Sequence, residues 1–599
     1  MGSHNSLEVY TSVMKQLFHD VAQCYPEEHE VERDIAVMLR RIQNEGISFL
    51  TKTLPKFGKA IDTALSNTGY LSIEGFKTAP GSTIPKFLGW LLGRIFTTEG
   101  YVKENPDITA LKHARQLVYF LYKLKLPYDT KTEQSVIESF VATEDELHKL
   151  EFPPSVDLII KRARTLVTRV LGRVDVRDII PRHGPGAVAT GEKVGEKSNF
   201  SRIYSKLEME YPFTEYFVLG LNQVADQLDW IQSLTVLEHG TAKVVLVPKD
   251  SRGPRLISCE PLELQWIQQG LMRLLYSHIE NHRLTRGHVN FTDQTVNRRL
   301  ALEGSLTQQL VTLDMKDASD RVSLRLVEEL FCGTPLLAAL KASRSDFTCL
   351  PDGRIVHLSK FAPMGSAVCF PIEALCFWAL AVSVLTLNGR TYHQAVKSVY
   401  VYGDDLIVDR KDYPALLAAF PLVGLMFNEK KCCVSGFFRE SCGCDAYKGV
   451  DVTPVRLRTQ WDHHGHRDPN ELASYVAFHN AMYEAGYWNT SSLIRELVED
   501  RYGTLPVGPI GCKTQCVLWD VHANHHELNK KRRIPWRYNQ GLQRIEYRTW
   551  VIRPKRKTFK TDGWKECLRV LNTGSTGSDI GVYALPRRSC LKRGWSVLV

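Results

Sequence analysis

Asp404 and Asp405 stand side by side in SVYVYGDDLIVDR (Ser398–Arg410), at the tip of an apolar, β-branched stretch. Adjacent carboxylates repel, so a chain keeps them either where a turn needs them or where a cation neutralises them. Gly-Asp is ordinary hairpin-turn chemistry, because glycine accepts positive φ and aspartate bonds its own backbone. The alternative is a divalent cation, which would be the largest local charge in such a site. Asp314 offers a third acid: it ends the apolar run LVTL, as a residue at the end of a strand would, and Asp320 follows across MKDAS. If that strand lies beside the GDD hairpin, Asp314, Asp404 and Asp405 converge. Three clustered carboxylates are costly unless neutralised. Hard oxygen ligands of this kind suit Mg²⁺, with Mn²⁺ able to substitute. Two such ions about 3.5–4 Å apart would activate a 3′-hydroxyl and stabilise a pyrophosphate leaving group.

A cationic complement exists. The loop PKDSRGPR carries Lys249, Arg252 and Arg255, whose guanidinium groups suit the paired oxygens of a triphosphate. Lys430 and Lys431 follow the GDD hairpin in FNEKKC, where one could protonate departing pyrophosphate. Each motif alone has a plain structural explanation, as a solvated hairpin or exposed lysines. Their order is specific: basic hairpin, strand-Asp-x5-Asp, Gly loop before a helix, GDD hairpin, lysine pair.

The elements that must position these residues are legible in outline. The first 230 residues are mostly helical in pattern, as in VERDIAVMLRRIQNEGISFL. From AKVVLVPKDSRGPRLIS onward, short β-rich runs alternate with helices. FAPMGSAVCFPIEALCFWALAVSVL reads as a loop entering a long core helix, with Pro371 tolerable only in its first turn. No Walker or Rossmann phosphate loop occurs. The 599 residues predict several lobes, 44% of them hydrophobic, and the net charge of +10 suits a polyanionic partner. The beginning shows no secretory signal, MGSH has the look of an expression remnant, and no apolar run reaches membrane-spanning length. The fourteen cysteines follow no disulfide framework, so reduced thiols are expected.

The ordered segments NFTDQTVNRRLALEGS, VTLDMKDASDRVSL, PMGSAVCFPIEAL, VYGDDLIV, GFFRESCG and YKGVDVTP resemble the replicase catalytic subunit of single-stranded RNA bacteriophages, densely from Lys243 to Pro454. The resemblance implies an α+β right-hand polymerase with fingers, a palm (antiparallel sheet flanked by helices) and a thumb. On it, residues 1–240 would be a mainly helical N-terminal region and fingers, and 241–305 the basic fingers hairpin (motif F) with its connection to the palm. Residues 306–460 would be the palm with motifs A to E, including a fingers-like insertion near 340–360, and 461–599 the thumb and basic C-terminal region. It also implies that Asp314, Asp404 and Asp405 hold two catalytic metals, that Asp320 reads the ribose 2′-hydroxyl, and that Lys249 and Arg255 contact the triphosphate. Phe438, Arg439 and Glu440 fall in motif E, beside the primer strand, so Arg439 is an expected RNA contact. The chain departs from the pattern where familiar members read Met-Gly-Asn-Gly: here Met364-Gly365-Ser366-Ala367 stand, with Gly365 and Ser366 as the expected sugar-side contacts. Lys316 and Asp317 replace small residues of motif A, so Asp317 is a further acid near the metals.

Between Lys530 and Lys560 there are 12 Lys/Arg and one acid, Glu546, with Trp536, Tyr538, Tyr547, Trp550 and Phe559 interleaved. Charges track phosphates and rings stack on bases, so Lys530, Lys531, Arg532, Arg533, Trp536, Arg553, Lys555, Arg556 and Lys557 are expected RNA contacts. Cys512, Cys516, His522 and His525 have zinc-ligand chemistry, at a spacing too short for a finger. The resemblance implies single-stranded RNA template, nascent RNA and NTPs as partners, host elongation factors Tu and Ts and a ribosomal protein, no membrane, and the cytoplasm of an infected bacterium. Two rivals stand beside an RNA-directed RNA polymerase. A reverse transcriptase would carry an aromatic gate in motif A, and a non-catalytic RNA-binding or packaging protein could have lost its carboxylates.

Overall fold

The computed structural model describes residues 6–26, 30–193, 195–462, 464–554, 563–573 and 589–598. Strand Leu310–Lys316 lies inside a four-stranded antiparallel sheet, between Met426–Phe427 and Asp405–Asp409, with Tyr400–Tyr402 at the far edge. Its residues Val311, Leu313 and Met315 are buried, because helices cover the sheet. Helix Thr295–Thr307 packs on it, and helix Cys369–Leu387 packs against Tyr400–Tyr402. The second helix is apolar all round, which places it in a core. It is long and apolar enough to cross a membrane, yet 83% of its apolar window is buried within the protein. Pro371 falls in its first turn, where no backbone donor is lost.

A second four-stranded sheet carries the basic loop. Strands Thr241–Asp250 and Gly253–Cys259 form an antiparallel hairpin, and Phe347–Cys349 joins its edge in parallel, followed by Ile355–His357. The segment around 340–360 therefore completes the sheet begun a hundred residues earlier. Helix Thr130–His148, capped by Asp129 accepting from the Thr132 amide at 2.6 Å, covers this sheet with Ile137 and Phe140 against Val244, Leu350 and Leu358.

The N-terminal region and fingers expected over 1–240 divide between two cores. Helices up to Leu124 share a core with residues 433–518, whereas residues 156–234 share the core of the sheet that holds Leu310–Lys316. Helix Ser6–Ala22 packs on Trp488–Tyr502, and the Trp461 amide donates to the Tyr10 hydroxyl at 2.9 Å. Buried Arg115 pairs with Asp62 and, at 2.5 Å, with Asp445. Helical periodicity identifies which face is buried but not against what. In the C-terminal part, Trp536–Asn539, Arg544–Pro554 and Ser589–Ser596 make a three-stranded antiparallel sheet.

Candidate active site

Tyr402 pairs with Asp405 across a two-residue turn, Gly403-Asp404. Gly403 has φ +59° at the first central position, which fits a II′ turn, and a Cβ there would overlap the Phe370 ring. On the other side Asp405 is in register with Asp314. Two acids therefore face each other on neighbouring strands, with a third at the hairpin tip. Directly opposed like charges destabilise a sheet. Lys431 Nζ lies 3.0 Å from both oxygens of Asp314, and Asn428 Nδ2 donates to Asp314 Oδ2 at 3.0 Å. The Cys442 amide donates to Asp405 Oδ2 at 2.8 Å.

These partners do not balance the cluster. Asp404 is open to solvent but recessed between walls, and this withdrawal from bulk water, with Asp314 beside it, raises its carboxyl above the ordinary range. Burial and Asp404 push Asp405 up to about 6. Burial, Asp445 and Asp405 push Glu440 up to about 8, and burial with Asp404 and Asp320 holds Glu373 far above a normal glutamate. Burial pulls Lys431 down, but the Asp314 charge outweighs it and the ammonium is held above its usual value. Asp404 and Asp405 are hard oxygen donors with raised proton affinity, which fits a divalent cation.

Among the described residues no group of three or more His, Cys, Asp or Glu side chains is drawn together closely enough to hold a metal ion, the three palm acids included. Asp314, Asp404 and Asp405 form an open edge, the arrangement Mg²⁺ tolerates when waters and phosphates complete its shell. Cys512, Cys516, His522 and His525 do not gather into a zinc site. His525 Nε2 lies 3.0 Å from the Asp520 carbonyl instead, and the two cysteines are buried. Asp317 sits exposed at φ +50°, where it starts the turn Ala318–Arg321.

The basic hairpin faces this edge, with Lys249 and Arg255 exposed and the Arg255 charge acting on Asp404. Arg252 is not a free grip: its Nε and Nη2 bond Asp250 at 3.0 and 2.7 Å, and it lies over the Tyr122 ring. Asp250, two residues away, is the nearest acid and closes the pair. Two further cations come from the N-terminal region, Lys59 on helix Leu54–Thr63 and Lys123 in the turn after helix Ile108–Tyr119. Burial, with Arg252 and Lys431 nearby, lowers Lys59; burial lowers Lys123 to about 8, with Arg456, Lys249 and Arg252 adding to it. Burial and the charges of Arg255 and Lys431 likewise lower Lys249. Cations from four separate stretches thus crowd one cleft. In the sequence Lys59 and Lys123 look like any surface lysine, and no local signal marks them. Lys430 is exposed beside Lys431.

Gly365 has φ +120°, and a Cβ there would run into the Ser258 carbonyl. The Ser258 amide bonds the Met364 carbonyl at 2.8 Å, so the loop is laid directly on the basic hairpin. Ser366 is buried, and its hydroxyl donates to Gln268 Oε1 at 3.1 Å, which commits it away from a sugar. Asp320 remains partly exposed and is bonded by Lys360 at 2.6 Å.

Arg439 is not an RNA contact. It is fully buried and donates to the carbonyls of Leu310, Gly436 and Phe438 at 2.6–2.7 Å, and burial lowers it to about 10. Strand Phe438–Ser441 packs against the palm sheet, and that contact turns the guanidinium inward. Among the C-terminal cations, Lys531, Arg533 and Arg553 are exposed and Trp536 is 44% exposed. Lys530 pairs with Glu527 and Arg532 with Glu499. Lys555, Arg556, Lys557 and Phe559 lie outside the described residues.

An antiparallel sheet with acids on one edge, faced by a cationic sheet and walled by helices, is the palm and fingers of the right-hand polymerase fold. Within that class the chain belongs to the RNA replicase beta-chain family, whose model matches residues 132–465, more than half of the chain. It is similar to the RNA-directed RNA polymerase subunit beta of Enterobacteria phage SP, 38% identical over 244 residues (41% of this chain, 39% of the relative). It is also similar to that of Escherichia virus Qbeta, 40% identical over 216 residues (36% and 35%). The RNA-directed RNA polymerase beta chain of Escherichia phage MS2 is 33% identical over 290 residues (47% and 50%). The chain thus spans about half or less of these relatives' length. A solved RNA-dependent RNA polymerase of a human picorbirnavirus superposes with a TM-score of 0.37 at 13% identity, covering 63% of this chain and 76% of that one.

Proposed function

We propose that this chain is the catalytic subunit of an RNA-directed RNA polymerase that copies single-stranded RNA phage genomes from NTPs. The observation that carries it is the register of Asp314 with Asp405 beside Asp404, opposite a cleft of cations from four stretches. Asp314, Asp404 and Asp405 would hold Mg²⁺, which when bound lowers the charge on the reacting phosphate and favours an ionised 3′-hydroxyl. Lys249 and Arg255 orient the triphosphate from the opposite wall, and their charge favours the developing negative charge on the leaving pyrophosphate. Lys431 is paired with Asp314 at the mouth of this site, within reach of the phosphates a nucleotide would place there. It can donate a proton to pyrophosphate. Asp320 accepts from the ribose 2′-hydroxyl.

The test is incorporation of labelled NTPs on single-stranded RNA with Mg²⁺, with and without host extract, comparing the wild type with Asp404→Asn. Loss of roughly 10³-fold or more in the variant, with RNA binding retained, supports the reading. Synthesis only with extract adds an obligatory host partner, for which elongation factors Tu and Ts and a ribosomal protein are the first to try. RNA binding without synthesis under either condition favours the non-catalytic alternative.

A further inference from the structure

Lys360 is fully buried, an environment in which a lysine is rare unless paired. Its Nζ donates to Asp320 Oδ1 at 2.6 Å, lies 2.9 Å from Glu144 Oε1 and sits 3.6 Å above the Phe140 ring. The surrounding backbone is fixed. The Leu324 amide bonds the Ser359 carbonyl at 2.9 Å and the Phe361 amide bonds the Val322 carbonyl at 2.8 Å. Glu144 Oε2 accepts from the amides of Ser359 and Lys360 at 2.6 and 3.2 Å. The two carboxylates therefore play different parts. Glu144 anchors the loop and neutralises the ammonium, and only Asp320 receives its side-chain hydrogen bond. Asp320 Oδ2 has no hydrogen-bond partner among the described residues, and the side chain keeps 27% of its exposure.

We propose that Lys360 is a positioning residue for sugar selection: it holds the Asp320 carboxylate in one orientation, so that its free oxygen accepts a hydrogen bond from the 2′-hydroxyl of the incoming nucleotide. This rests on the polymerase function proposed above. An ionised carboxylate is an acceptor only, which matches a hydroxyl donor and gives nothing to a 2′-deoxy sugar. An Asp320 free to rotate would discriminate less. The Ser366 hydroxyl, the side chain expected to help, is already bonded to Gln268, so support for Asp320 comes from the segment before that loop instead. Lys360 itself, being buried, never touches the nucleotide.

The test measures kcat/KM for ATP and dATP on an RNA template with the full chain, supplemented with host extract if synthesis needs it. Lys360→Met is expected to lower the ATP value by about 10–100-fold, the worth of a hydrogen bond to a charged group, and to change the dATP value by less than about 3-fold. Lys360→Arg should restore most of the preference. Lys360→Met combined with Asp320→Asn should be no less selective than Asp320→Asn alone, since both act through one carboxylate. Should Lys360→Met fail to fold, Lys360→Gln is a polar second variant whose shorter side chain cannot reach Asp320 as the Lys Nζ does, and the ATP/dATP ratio should still fall. Equal losses for both nucleotides, leaving the ratio unmoved, would reduce Lys360 to a structural role and overturn the proposal. If the wild type makes no RNA at all, the polymerase function fails first and this inference falls with it.

Discussion

The acidic edge of the palm and the basic C-terminal sheet are both charge clusters, and they differ in what answers the charge. In the C-terminal sheet, much is answered internally: Arg537 and Arg544 both bond Glu546, Arg532 bonds Glu499, and Arg593 lies over the Trp550 ring. At the palm edge Lys431 pairs with Asp314, and burial together with the neighbouring carboxylates still raises the proton affinities of Asp404, Asp405 and Glu440. A run of one charge in a sequence overstates what a ligand will meet, because folding hands part of it to internal partners. A cluster left without counter-charges after folding is the better mark of a site.

Arg439 and the exposed C-terminal cations sharpen this contrast most. Arg439→Met leaves one buried and two partly buried carbonyls without their donor, so a loss of about 3 kcal/mol in folding stability is expected, read by urea melts. The salt dependence of RNA binding should not change. Lys531→Ala and Arg533→Ala should do the reverse, leaving stability within about 0.5 kcal/mol and lowering the log–log salt slope of RNA binding by about 0.7 each. Trp536→Ala should weaken binding by about 1–3 kcal/mol if its ring stacks on a base. Arg537→Ala and Arg544→Ala should leave the slope unchanged, since Glu546 already holds both. If all four cations shift the slope alike, internal pairing does not decide which of them meet RNA.

The difference also sets what could be read from the sequence. The GDD turn and the Asp314 strand were legible because their rules are local: a glycine with positive φ at a two-residue turn, and an apolar run ending in an acid. Once both lie in one sheet, register brings Asp314 to Asp405. The shared core of the first 124 residues with residues 433–518 was not legible, because amphipathic helices announce a buried face without naming its partner. Lys59, Lys123 and Lys360 were hidden for the same reason, each acquiring its role from a wall contributed by distant chain. Arg439 was misassigned because motif position says where a residue falls along the chain, not which way its side chain turns.

The smallest expected effect separates the two regions by sign. Glu440, raised from an ordinary glutamate value to about 8 by burial, Asp445 and Asp405, keeps in the folded chain a proton that the unfolded chain has released. Between the ordinary glutamate pKa and about pH 8 the native state therefore binds more protons than the unfolded one, and stability falls as pH rises through that window. One group contributes a slope of at most about 1.4 kcal/mol per pH unit. Asp405, raised to about 6, adds to the fall only in the lower part of the window. Glu546 has the opposite sign: Arg537 and Arg544 hold its carboxyl below the usual range, so its contribution is present at neutral pH and lost as the solution is acidified. Urea melts in chelating buffer at pH 6, 7 and 8 should show wild-type stability falling with pH, and Glu440→Gln should lessen that fall between pH 6 and 8, with Glu373 keeping its own share. Glu546→Gln should leave the fall in place, because its own carboxylate is fully ionised across that range in either state. A Glu440→Gln slope equal to wild type would mean that Lys431 already answers the acid edge in the free chain, and the contrast between the two clusters would lose its electrostatic basis.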